Sequence, residues 1–530
     1  MSTTPAVPTT PSAVPAAPQR SVLYRGGRIY SPADPRATAL LVHGDRVAWL
    51  GPDSEAPTAD EVVDLDGALV APAFVDAHVH ITDTGTSLLC VDLTDCDSAD
   101  EMLDRVAEYA ATLPHDATVL GHGWDETRWP SRQPPTLDQI DRAVAGRKAY
   151  LSRIDVHSAL CSPALLASVP EVVDAAGYRP DGWLRQEAHH LVRVAARASL
   201  TPAQRREAQV VALRLAAARG IAAVHECAGP EISGEDDFTA LLALPRELPL
   251  PEVYGYWGEL GAAAKARELG ALGAAGDLCA DGALGSHTAH LTEPYRDADT
   301  TGAAYLDADQ VTEHVVDCVH HGVQSGFHAI GDGALHTVVR GYAAAAEKVG
   351  LDRLRAGRHR IEHAEMLNRE LIRGFVEFGL YASMQPAFDR LWGGDAGMYA
   401  LRIGTERSLA ANPFASLAGV GVPLAFGSDT PVTPFDPWGG VRAAVHHHNP
   451  AQRISVKTAF AAHTRGGWRA VHRDDEGVLV PGGPATFAVW RVTGELTGGL
   501  PALGKDGPLP ECVRTVLRGT TIHDQEDPAT

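Results

Sequence analysis

The sequence predicts an α/β protein, a (β/α)8 TIM-like barrel with a small β-sandwich domain built from both chain ends. Strand-like and helix-like segments alternate from about Ala71 to His472, a pattern that implies a parallel sheet with helices packed outside it. His and Asp residues recur at the C-terminal ends of the strand-like runs, the face on which barrel enzymes build their sites. Short β-rich runs also occur at both termini. Neither set is large enough to bury a face by itself, so the two are expected to pair.

In chain order, residues 1–20 are rich in Pro, Ala, Thr and Ser, with neither a charged n-region nor an apolar h-region. They read as a disordered tail rather than a signal peptide. Residues 21–70 hold short runs such as Ala39 to His43 and Arg46 to Leu50, separated by Gly, Asp and Pro. Gly26-Gly27 reads as a hairpin turn, because glycine tolerates positive φ. Residues 474–522 return to the same pattern, with Thr486 to Val492 and Cys512 to Arg518, and complete the composite sandwich.

The barrel is assigned to residues 71–473. Its strand-like runs are Ala73 to His80, Thr118 to His122, Ala149 to Ile154, Ile221 to His225, Glu252 to Trp257, Asp277 to Ala280, Val323 to His328, Arg360 to His363, Leu380 to Met384 and Pro423 to Gly427. Ten runs exceed eight, so at least two belong to an excursion, expected as an insertion around residues 155–257.

The first run carries the clearest chemistry. In an extended strand Asp76, His78 and His80 share one face, while Val75, Ala77 and Val79 share the other. Two neutral imidazoles aimed at one point can hold a cation such as Zn²⁺. Later runs end in His328, His363 and Asp429. Each alone has a structural alternative, a hydrogen-bonded core histidine or a helix N-cap. Together they form two histidines on the first strand, one on each of two consecutive later strands, and an aspartate on the last.

Composition narrows the function. The chain has 530 residues, 45% hydrophobic and 21% charged, with a formal charge of −22. The acidic balance and the lack of a Lys/Arg cluster argue against nucleic acid and anionic membrane surfaces as partners. No stretch reaches the roughly 18 apolar residues of a membrane span. The seven cysteines show no C-x-x-C spacing, which suits reduced thiols in a cytoplasm. A small-molecule substrate is expected, and a homo-oligomer is compatible with all of this.

Further segments carry a resemblance: Gly123-Trp124-Asp125-Glu126, Arg153-Ile154-Asp155-Val156-His157, Asp281-Gly282-Ala283-Leu284-Gly285-Ser286, Ser383-Met384-Gln385-Pro386 and Gly427-Ser428-Asp429-Thr430-Pro431-Val432. With the strand ends above, and in this order, the chain resembles metal-dependent amidohydrolases of the superfamily that includes dihydroorotase and the deaminases, in particular their YtcJ-like (amidohydrolase 3) branch. The resemblance spans roughly Ser21 to Val492. It implies that His78, His80, His328, His363 and Asp429 surround a divalent metal. Relatives often carry a lysine four residues before the Asp-Gly pair, which after carbamylation bridges two metals. Asp277 stands there in this chain.

The expected reaction is hydrolysis of an amide-type C–N bond of a small molecule by metal-activated water, with Asp429 as general base. Zinc is the favoured metal, and one ion is favoured over two. None of the five lysines ends a candidate strand, and the side chain of Asp277 is shorter than the lysine it replaces. Substrate contacts are assigned to Trp124, Asp125, Arg153, Asp277, His287 and Gln385. The alternatives are hydrolytic deamination of a ring, a lyase or isomerase step using Asp429 for proton transfer alone, or a metal-stabilised binding protein on the same barrel.

Overall fold

The computed structural model describes residues 20–526. The expected N-terminal tail lies, apart from Arg20, outside the described residues. Eight parallel strands form the central sheet: β1 (Phe74–Val79), β2 (Ile221–Ala228), β3 (Glu252–Trp257), β4 (Gly273–Ala274), β5 (Gln324–Ala329), β6 (Arg360–His363), β7 (Tyr381–Met384) and β8 (Leu424–Phe426). All six residues of β1 are buried, because barrel strands are covered by side chains inside and by helices outside. The first and last strands meet just beyond their C-terminal ends. There Asp429 N donates to His78 O at 2.8 Å and His80 N donates to Thr430 O at 3.0 Å. This closure carries Asp429 from one end of the barrel sequence to the histidines at the other.

The termini form the companion domain. Leu69–Pro72 pairs antiparallel with Phe487–Arg491, placing both ends of the chain in one five-stranded sheet. A four-stranded sheet of N-terminal strands lies against it. Tyr24, Val42 and Val47 share a core with Phe487, Val489 and Val516, and the rings of Tyr24 and Phe487 meet edge to face at 5.1 Å. Burial on one shared face is what neither half could achieve alone.

The insertion lies earlier than the expected 155–257. Ile221–Ala228 and Glu252–Trp257 are barrel strands, whereas Val91–Asp92, Val119–Trp124, Ala149–Arg153, Ser158–Cys161 and Trp183–Arg185 form a separate five-stranded sheet between β1 and β2. Two of the ten candidate strands, Thr118 to His122 and Ala149 to Ile154, thus belong to the insertion. Their apolar runs look like barrel strands because they too are paired in parallel and covered by helices. Among the described residues no helix is long and apolar enough to cross a membrane.

Candidate metal centre

His78, at the end of β1, and His80, just beyond it, project into the C-terminal mouth as their alternation requires. His328 ends β5 and His363 ends β6. In regular extended backbone Glu362 and His363 would face opposite sides of the sheet. His363 instead has φ 67°, and Glu362 and His363 both face inward. Asp429 is likewise left-handed, with φ 59°. Non-glycine residues held in this region are costly and cluster at functional sites.

The side chains converge on Asp277. Its Oδ1 lies 3.3 Å from His78 Nε2, 3.5 Å from His328 Nδ1 and 3.9 Å from His363 Nε2, and its Oδ2 lies 3.1 Å from His80 Nε2. Asp429 Oδ1 is 3.4 Å from His78 Nε2 and 3.2 Å from His80 Nε2. Asp277, expected as a substrate contact, thus lies among the candidate ligands themselves. Its carboxylate, three residues beyond the two-residue β4, comes within 4 Å of all four imidazoles.

The far nitrogens of three rings are tied down. Glu362 Oε2 meets His78 Nδ1 at 2.8 Å, Gln385 Oε1 meets His363 Nδ1 at 2.9 Å, and Gly282 O meets His328 Nε2 at 3.3 Å. Such partners fix the tautomer and present the other nitrogen's lone pair to the centre. Arg360 in turn grips Glu362 through two nitrogens and also reaches Ser383 Oγ. The buried atoms His78 Nε2, His328 Nδ1, His363 Nε2, Asp277 Oδ1 and Asp429 Oδ1 have no hydrogen-bond partner among the described residues. Buried polar atoms are normally paired. Unpaired nitrogen and oxygen donors facing one point fit a cation, and His78, His80 and Asp429 lie within ligating reach of one another, as do His78, Asp277 and His363.

The electrostatics agree. Burial pushes His80 down, but Asp277 and Asp429 more than reverse it and carry it up to about 10. Burial would raise Asp277, yet His78 with His328 and His363 holds it well below the usual carboxylate range. The two carboxylates draw positive charge into the centre.

The other candidates divide. Gln385 touches His363, as above. Arg153 borders a small cavity shared with His328, His363 and Asp429, but its guanidinium is taken up by Asp125, Glu126 and Asp155. Asp125 also caps the turn at Thr127. Trp124 is fully buried in the insertion core, with its Nε1 donating to Leu151 O. His287 pairs with Asp297 at 2.9 Å, away from the centre. Sequence reasoning missed Glu362 and Arg360 as supports, although their i, i+2 spacing on β6 signalled a shared face. It also missed Cys227, whose Sγ lies 3.5 Å from His78 Nδ1, and gave no role to His157, whose ring packs on His328 at 5.2 Å.

With a parallel eight-stranded barrel and this cluster at its C-terminal mouth, the chain falls with the metal-dependent hydrolases among its relatives. The family model described as the amidohydrolase family matches residues 61–523, and the chain belongs to that family. It is 26% identical to the YtcJ protein of Bacillus subtilis, over 95% of this chain and 99% of that one. A shorter match, 27% identical over 28% of each chain, is to the N-substituted formamide deformylase of Arthrobacter pascens. Among solved structures, an uncharacterised metal-dependent hydrolase from Pyrococcus furiosus aligns with a TM-score of 0.69 at 26% identity, covering 88% of this chain and 98% of that one.

Proposed function

We propose that this hydrolase cleaves an amide-type C–N bond of a small molecule at the His78, His80, His328, His363 and Asp429 cluster, with Asp277 joining the ligand set. The observation that carries the reading is the convergence of buried, unpartnered ligand atoms on one point. The short match to a formamide deformylase supports the choice of bond. A divalent ion held there, zinc by the His-rich donor set, would polarise the substrate carbonyl and acidify water.

Asp429 is the proton carrier. It borders the cavity that also holds His328, His363 and Glu365, so its Oδ atoms reach both the centre and a bound substrate. It takes a proton from the attacking water as the new C–O bond forms, then delivers that proton to the nitrogen as the C–N bond breaks. The products are an acid and an amine. Glu362 and Gln385 hold the rings of His78 and His363 in place throughout.

One tightly held ion, with His78, His80, His328 and Asp429 as its inner ligands, remains our reading. The position of Asp277 supports a second reading, two ions: beside His328 and His363, its carboxylate would supply the negative charge that a pair of cations needs and that lysine would otherwise provide. Elemental analysis of metal-replete protein decides between them, and two equivalents, with activity rising only as the second binds, would select the bridged pair. The reaction is tested by screening metal-loaded protein against N-acyl and N-formyl amines in ¹⁸O water. Release of amine with one labelled oxygen in the acid is expected; amine release without label, or no turnover of any amide, rejects the reading.

A further inference from the structure

A cavity of about 600 Å³ lies between the barrel and the insertion, walled by residues that include Asp83, His122, Tyr150, Val156, Arg193 and Pro431. It adjoins the metal centre. Pro431 is two residues from Asp429, Asp83 three from His80, and Val156 is next to His157, whose ring packs on His328. Two residues span at most about 7 Å, so this wall is part of the mouth of the site. The volume suits a small organic molecule.

Arg193 is the unusual member of that wall. It sits on the buried face of the helix Gln186–Arg197, with His189, Val192 and Ala196, and is only 8% exposed. Arginine is almost never buried this deeply without a partner. Its Nε donates to the backbone oxygen of Glu231 at 3.1 Å, but its terminal nitrogens have no hydrogen-bond partner and meet no carboxylate within 4 Å among the described residues. The other buried or half-buried charges of the wall are matched: Arg197 with Asp83, and Asp237 with Thr82 and Arg205. Burial and then Arg193 push the neighbouring His189 well below its ordinary value, so the imidazole beside Arg193 is held neutral.

We infer that Arg193 binds a carboxylate of the substrate, so that the amide cleaved at the metal centre belongs to a small organic acid. The two unpaired N–H groups of a planar guanidinium match a carboxylate in bidentate fashion. The inference rests on the amide-hydrolase reading. Arg193 acts in binding and orientation, away from the breaking bond.

The test uses N-formyl and N-acetyl derivatives of α-, β- and γ-amino acids, each beside the same amide of the amine lacking the carboxylate. The natural chain should prefer the acids. Arg193→Gln should lower kcat/KM for them about 100-fold, chiefly through KM, the scale of a lost hydrogen bond to a charged group. It should leave the uncharged amides within about threefold, and Arg193→Lys should recover part of the loss because it keeps the charge without the fork. Equal losses on both sets, or a natural preference for the uncharged amides, would overturn the assignment. If no amide of either set is turned over, it is the hydrolase reading that fails. Calorimetric titration with the same acids then judges Arg193 alone: binding to the natural chain that Arg193→Gln abolishes supports it, and no binding to the natural chain overturns it.

Discussion

Two buried ionic clusters border the same small cavity and differ in how fully their polar atoms are paired. Around Arg153, three carboxylates meet three guanidinium nitrogens, each at 2.8 Å, from Asp125, Glu126 and Asp155. Around Asp277, four imidazoles and two carboxylates meet at 3.1 to 3.9 Å and leave lone pairs facing inward. Both clusters are buried and rich in charge. The first is complete within the protein, and through Glu126 to Arg402 and Asp155 to Ser286 it ties the insertion to the barrel; the second leaves lone pairs that fit a cation. Unsatisfied donors, and not burial or charge, separate a candidate site from a scaffold.

The sharpest way to break this contrast is Asp429→Asn. Turnover should fall by about 10² to 10⁴, the worth of a general base, while the fold and most of the metal are retained. Near-normal kcat would move the base to Asp277 or Asp281. On the scaffold side, Arg153→Met removes the cation that three buried carboxylates share, leaving Glu126 with Arg402 and Asp155 with Ser286, and should cost about 3–5 kcal/mol of stability in urea unfolding, as when one partner of a buried ion pair is removed. A loss below about 1 kcal/mol would show that the cluster is not what anchors the insertion.

Chelation should act only on the open cluster. Metal bound a thousandfold above its Kd adds about 4 kcal/mol, so stripping it should lower Tm reversibly, and to the same extent in protein with and without an intact Arg153. A Tm indifferent to chelator would deny the cluster a resident ion.

The smallest effect concerns histidines outside both clusters. His359 and His463 are buried and held neutral, each pushed by burial to about 4 from 6.5. A depressed histidine pKa means that the unfolded chain binds the extra proton first. Stability from each is therefore intact above pH 6.5 and is lost progressively as pH falls towards 4, on the order of 3 kcal/mol per group. Urea unfolding from pH 7 to pH 5 should show this decline, and His463→Gln should make it shallower. Parallel slopes for the two proteins would refute the assignment.

Local periodicity is legible in sequence, and it determined a good deal here. Alternation on β1 placed His78 and His80 on one face, the succession of strands and helices implied the barrel, and the recurrence of His328, His363 and Asp429 at strand ends collected the site. What only the tertiary structure decided was register and closure across long separations. Whether a run such as Ala149 to Ile154 is a barrel strand depends on its neighbours in space, since a covered parallel strand reads the same in either sheet. Asp277 became the hub of the cluster because the fold brings four strand-end imidazoles within 4 Å of it, and His363 joined it because its backbone takes a positive φ. Arg193 looked like any arginine on an amphipathic helix. Its missing countercharge is a property of everything packed around it, which no stretch of sequence contains.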